Sequence, residues 1–100
     1  MVSAAENLTA LTGHITARSP HPSLKDWDVV SLTVDRTVPI AGKADLLSQS
    51  ATGAMDVAVR RALLGGAAIG DRLSARVSLT PSGPMAEPHP SEGDFAVESA

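Results

Sequence analysis

The 100-residue chain has no cysteine and no tyrosine, and its aromatic residues are one tryptophan, Trp27, and one phenylalanine, Phe95. Without cysteine the chain cannot form disulfides, use a thiol in catalysis or bind zinc through sulfur. It also lacks any apolar run near the roughly 20 residues of a membrane-spanning helix. Residues 1–10 have neither the basic nor the apolar segment of a signal peptide. We therefore expect a small, soluble, cytoplasmic protein with no membrane partner.

Charge is sparse and of mixed sign. The chain has eight Lys and Arg residues and eleven Asp and Glu residues, so the formal net charge is −3. This balance argues against general nucleic-acid binding, which depends on neutralising phosphates with Lys and Arg, but it leaves room for a local basic patch. Apolar residues make up 43% of the chain and are almost all aliphatic. We expect a light core in which the two aromatic side chains matter more than usual.

Apolar and polar residues alternate in three segments, at 11–18, 29–38 and 72–80. A period of two is typical of strands with one buried face. The residues expected to point inward are Leu11, Gly13, Ile15, Ala17, Val30, Leu32, Val34, Leu73, Ala75, Val77 and Leu79. Two short strands are also expected, a proline-interrupted edge strand at 85–90 and a last strand at 94–98.

Residues 55–64 fit two patterns. As a helix they place Met55, Val59 and Leu63 on one face, and as a strand they point Met55, Val57 and Val59 inward. The valine content favours a strand followed by a helical turn that ends at Gly65. Residues 43–50 are too few to assign to a helical turn or a strand.

A chain of this length makes one domain on the usual size distribution. We assign residues 1–10 to a frayed N-terminal segment and residues 11–98 to a single β-barrel domain. About five strands, with at most one short helix between the third and fourth, predict an all-β fold. The expected architecture is a small five-stranded antiparallel barrel with the element order of an OB-like Greek key. A small antiparallel β-sandwich is the alternative.

One phrase occurs twice: residues 20–27 and 88–95 both read Pro-His-Pro-Ser-x-x-Asp-aromatic. If the two copies meet in space, they offer a ligand set for a divalent metal ion. The candidate ligands are His21, Asp26, His89 and Asp94. The favoured interpretation is structural, with a stiff proline loop, a turn capped by its own side chains, and Trp27 or Phe95 packed under the barrel end. No cofactor is predicted beyond the metal alternative.

A basic face is the second candidate site. Arg72 and Arg76 point the same way from one strand, and Arg60, or Arg61 if the register of that strand shifts, joins them. On an OB-like barrel such a face binds single-stranded nucleic acid or another anionic ligand. However, neither aromatic residue is expected beside these arginines. The favoured interpretation is a solvated face, in which carboxylates on neighbouring strands balance the positive charge of the arginines. The carboxylates considered for this role are Asp35, Asp56 and Asp71.

An enzyme is not favoured, because no serine lies in a nucleophile elbow and the glycine-rich segment 65–70 lacks the Lys-Ser/Thr of a phosphate loop. The apolar segment 63–69 either fills the barrel or faces another chain. We predict a non-enzymatic binding or assembly module that acts through protein contacts, with a protein partner or a second copy of itself. The alternatives are binding of single-stranded nucleic acid or an anionic ligand, and metal-dependent activity at the paired loops.

Overall fold

The computed structural model describes residues 7–48 and 53–100. The strands in this part of the chain are β1 (Thr9–Pro20), β2 (Trp27–Pro39), β3 (Ala54–Arg60), β4 (Arg72–Thr80), β5 (Gly83–Ala86) and β6 (Ala96–Glu98), and the helix α1 spans Arg61–Leu64. The barrel begins earlier than residue 11, because Asn7 and Leu8 are already buried. The rest of the expected frayed segment, residues 1–6, lies outside the described residues.

The strands form a closed barrel in the order β1-β2-β3-β5-β4, with β4 returning to β1. The predicted small barrel is therefore confirmed, and the sandwich alternative is wrong. The prediction that all neighbours are antiparallel is corrected at one contact, because β3 and β5 run parallel where Ala58 meets Met85. Directions cannot alternate all the way around a closed ring of five strands, so one neighbouring pair must be parallel. The short strand β6 adds to β4 outside this ring.

The alternation expected for the long strands is observed except at Ala17, which is exposed although it was expected to point inward, because the register of β1 against β2 shifts between Ile15 and Ala17. The side chains that form the core include Leu11, Ile15, Val30, Leu32, Val57, Val59, Leu73, Ala75 and Val77. In the unassigned segment 43–48, Leu47 is also buried in this core, and Ala44 makes an isolated bridge to Asn7. Of the two aromatic residues, Phe95 packs against the core, whereas Trp27 lies outside the cluster that the described residues form.

β1 closes the barrel because it pairs with β2 along its length and with β4 through residues 9–14. Its register against β2 shifts between Thr12 and Gly13 and again between Ile15 and Ala17. Such bulges bend a strand and increase its twist. A β carbon built on Gly13 would lie 2.6 Å from the carbonyl oxygen of Thr33, so the bend depends on glycine at this position.

Residues 54–64 form a strand followed by one helical turn, as the valine content predicts. Gly65 ends the turn with φ of 53°, a backbone conformation that favours glycine. In the part of the chain that the structure describes, no helix has the length and apolar character needed to cross a membrane.

Candidate functional site

In the first copy of the repeated phrase, a histidine holds the turn between β1 and β2. The Nδ1 atom of His21 accepts hydrogen bonds from the backbone N–H groups of Ser23, at 3.0 Å, and Leu24, at 2.9 Å. An Nδ1 atom that accepts leaves the proton of the neutral ring on Nε2, so neither ring nitrogen offers a lone pair to a metal ion. Asp26 follows in the same turn with φ of 68°.

The second copy has a different conformation and different partners. The residue with positive φ is Gly93, one motif position earlier than Asp26 in the first copy. His89 Nδ1 lies 3.2 Å from Nη1 of Arg60, which can only donate, so this histidine also uses Nδ1 as an acceptor. Asp94 forms an ion pair of 2.9 Å with Arg76. The phrase therefore repeats in sequence without repeating in structure.

The four candidate metal ligands are thus engaged separately or exposed. Within residues 7–48 and 53–100, no group of three or more His, Asp or Glu side chains is placed to hold a metal ion. The geometry gives the proposed set of His21, Asp26, His89 and Asp94 no support. Instead, the second copy contacts two arginines of the predicted basic face, which links two sites that the sequence keeps apart.

The arginines of the basic face are all engaged. Arg72 lies 3.7 Å from Glu98, and Arg76 lies 2.9 Å from Asp94 and 3.9 Å from Glu87. The balancing carboxylates are therefore on β6 and the C-terminal segments. The three carboxylates expected in this role have other partners: Asp35 pairs with His14, Asp56 accepts from Ser31, and Asp71 accepts from the backbone of Ala68.

The outer face of β2, β1 and β4 carries an open groove of about 530 Å³. Its floor is made of the small outward residues of β1 and β4, Ala10, Thr12 and Ser74, and its sides include Arg36 and Arg76. The strand register explains this shape, because Thr12 has Arg36 opposite it on β2 and Ser74 opposite it on β4. A second groove of about 400 Å³ is also lined by Thr12, Arg36 and Ser74. It continues from them to the pair His14–Asp35.

Apolar side chains border the first groove at one end. Val38 and Ile40 line it, and Val38 is 38% exposed. The sequence indicated that Thr12 faces outward, because it alternates with the core residues of β1. That Thr12 and Ser74 together form the floor of one groove was not predicted, because they lie on strands distant along the chain and strand register is not readable from either strand alone.

A third groove, of about 420 Å³, lies elsewhere on the barrel and includes the tryptophan. Its lining residues are Asn7, Leu8, Trp27, Lys43, Ser78, Thr80, Met85, Ala86, Glu87 and Pro88. Trp27 is the first residue of β2, is half-buried, and pairs across the strands with Arg60 of β3. The expectation that no aromatic residue lies beside the arginines is therefore wrong for Arg60.

Beside Trp27, a carboxylate is buried between two arginines. Asp28 accepts from Nε of Arg18 at 2.9 Å and from Nε of Arg61 at 3.0 Å, and its side chain is 6% exposed. Desolvation raises the pKa of Asp28, but the hydrogen bonds and charges of Arg18 and Arg61 outweigh it, so the pKa lies below its ordinary value. Arg18 also donates to the carbonyl groups of Gly65 and Ala67, which ties the segment after α1 to β1.

A second carboxylate organises the segment between β2 and β3. Asp45 Oδ1 accepts from the hydroxyl of Thr9 at 2.7 Å and from the backbone N–H groups of Leu47 and Ser48. Hydrogen bonds from Ser48 and Thr9 lower the pKa of Asp45 to about 2. This side chain fixes the turn that places Leu47 in the core.

The apolar segment after β3 mostly fills the barrel. Leu64 and Ala67 are buried and Leu63 packs against the core, while Ile69 is 71% exposed.

Compared with known proteins, the sequence matches no protein-family model, and no curated protein matches it significantly.

Proposed function

We propose that the protein is a non-enzymatic binding or assembly module that holds an extended protein segment in the groove across β2, β1 and β4. The observation that carries this proposal is the composition of that groove. It combines a floor of small side chains, an apolar end at Val38 and Ile40, and charged side chains of both signs. Protein segments carry apolar and charged side chains together, so a surface of this kind suits them.

The charge of the face also favours a protein segment over an anionic polymer. Arg72 and Arg76 already face Glu98, Glu87 and Asp94. A phosphate chain on this face would have to displace or approach these carboxylates, and like charges in an interface are costly. The nucleic-acid alternative is therefore not proposed for Arg72 and Arg76.

The barrel itself supports a binding role. Its strand order, with a helical turn after β3, agrees with the OB-like interpretation, and OB barrels hold their ligands on strand faces and connecting loops. The absence of cysteine supports a cytoplasmic setting for this binding. The partner is a different protein or a second copy of the chain.

A peptide-display selection against the purified protein tests the proposal. We expect enrichment of extended peptides, with binding at least tenfold weaker to Val38→Asp than to the wild-type protein, because the change puts a charge at the apolar end of the groove. Leu46→Asp is the matched control, since Leu46 is also exposed, at 45%, but does not line this groove.

Light scattering on the same samples tests the second-copy form of the proposal. A concentration-dependent dimer that Val38→Asp abolishes and Leu46→Asp retains supports self-association through the groove. A strict monomer that also enriches no peptide would rule out the proposed function.

A further inference from the structure

The loop between β1 and β2 and the junction of β3 with α1 meet at one end of the barrel. The backbone N–H of Arg61 donates to the carbonyl of Asp26, and Trp27 is paired with Arg60. Residues 18–28 and 60–64 together contain four cationic and two anionic side chains, in a protein whose net charge is −3. Positive charge is therefore concentrated where the single tryptophan lies.

Three of these cations lie on the segments that flank Trp27. Arg60 is held in place by the carbonyl of Pro88 at 2.8 Å and by His89, and no carboxylate takes part in these contacts. Arg61 reaches the carbonyl of Trp27 at 3.4 Å, and although its side chain is 50% exposed, its Nε is paired with Asp28 at 3.0 Å. Lys25 is exposed two residues before Trp27 in the same loop.

The groove beside Trp27 has the size and lining of a ligand site. Its volume of about 420 Å³ falls within the range of small-molecule pockets, roughly 300–1,000 Å³. Trp27, Met85 and Pro88 supply apolar walls, the hydroxyl groups of Ser78 and Thr80 supply polar ones, and Lys43 and Glu87 add one charge of each sign. A planar ring can lie against the indole here, and the thioether of Met85 adapts to ring edges.

We propose that this end of the barrel binds single-stranded nucleic acid. One base stacks on Trp27 in the groove, and the phosphates on either side of it contact Arg60 and Lys25. Base stacking on an aromatic side chain, combined with nearby cations, is how proteins bind single strands without reading their sequence. The site is separate from the groove across β2, β1 and β4, so this inference goes beyond the proposed function.

Intrinsic fluorescence tests this proposal directly. Trp27 is the only tryptophan and the chain has no tyrosine, so excitation at 295 nm reports on this site alone. We expect a twelve-nucleotide single-stranded oligothymidylate to quench the emission at low salt. The logarithm of the binding constant should fall against the logarithm of the salt concentration with a slope of about −1.4, as expected for about two phosphate contacts.

Two matched variants locate the binding. Arg60→Gln should weaken binding about tenfold, because it removes a phosphate contact beside the stacked base. Arg36→Gln removes the same charge from the outer face of β2, within the other groove, and should change binding less than twofold. Far-UV circular dichroism and thermal melting of each variant establish that it is folded.

Three results would overturn the proposal. The first is the absence of any fluorescence change at low salt. The second is an equal loss of binding in Arg60→Gln and Arg36→Gln, which would indicate attraction to cationic side chains at no particular site. The third is equal quenching by a polyglutamate peptide, which would make this a general anion site. A failure here leaves the peptide selection at the other groove unaffected.

Discussion

Gly13 is the residue on which the closure of the barrel depends most directly. It lies at a bulge of β1, where the strand bends between β2 and β4. An added β carbon would meet the carbonyl oxygen of Thr33 at 2.6 Å and the β carbon of Leu32 at 3.3 Å. Backbone atoms cannot move aside as the end of a flexible side chain can, so any larger residue pushes β1 away from β2.

We predict that Gly13→Ala lowers the free energy of unfolding by about 1–3 kcal/mol, the usual cost of overpacking. Gly66→Ala is the control, because a β carbon at Gly66 has no other heavy atom within 4 Å. That change should alter stability by no more than about 0.5 kcal/mol. Urea unfolding of both variants makes the comparison, and equal midpoints would show that the β1 bend tolerates a side chain.

Asp45 makes the stability of the folded protein depend on pH in the acidic range. Its pKa is about 2 in the folded protein, below the ordinary value of 3.8. A group whose pKa falls on folding stabilises the protein when it is ionised, so this contribution is complete above about pH 5 and is lost as the pH falls from about 4 to 2.

We predict that Asp45→Asn is less stable than the wild-type protein at pH 6 and that the two converge as the pH approaches 2. The amide keeps an oxygen that can accept from Thr9 and the turn, so the variant removes the charge and preserves the shape. Thermal melts between pH 6 and pH 2 provide the measurement. A stability difference that stays constant over this range would contradict the assigned hydrogen bonds.

At the scale of elements, the two copies of the repeated phrase do unlike things. The first copy is a turn held by His21 and ends in Trp27, which lines a groove on the outside of the barrel. The second copy leads into β6 and ends in Phe95, which packs against the core. Both aromatic side chains are half-buried, so the two copies differ in what the aromatic residue contacts rather than in how far it is exposed.

We predict that Phe95→Ala lowers the free energy of unfolding by about 3 kcal/mol, as truncation of a packed aromatic does. Trp27→Ala should lower it by about 1 kcal/mol, because the side chain lies outside the core. Urea unfolding followed by circular dichroism suits both variants, since one lacks the tryptophan. A larger loss for Trp27→Ala than for Phe95→Ala would place the indole in the core after all.

The strands can be predicted from the sequence better than the pairing of residues between strands. The alternation at Leu73, Ala75 and Val77 identifies both β4 and its buried face, because side chains of a strand alternate with a period of two. The pairing of Trp27 with Arg60 has no such signal. It depends on the register between β2 and β3, which follows from how the whole barrel closes.

At the scale of the whole molecule, the barrel holds its proposed binding surfaces apart. One lies across β2, β1 and β4, and the other lies at the end of the barrel that carries Trp27. The sequence predicts the small barrel, because five short strands with one helical turn have few ways to close. It does not predict the grooves, because each is lined by residues from segments distant along the chain, such as Thr12 and Ser74.

Binding of a protein segment in the groove across β2, β1 and β4 is tested most directly by nuclear magnetic resonance of the ¹⁵N-labelled protein, titrated with a peptide enriched in the selection. We predict that the amides that shift are concentrated at residues 10–12, 36–40 and 74–76, and that these shifts are lost in Val38→Asp. Shifts confined to residues 25–27, 58–61 and 85–89, or no shifts at saturating peptide, would contradict it.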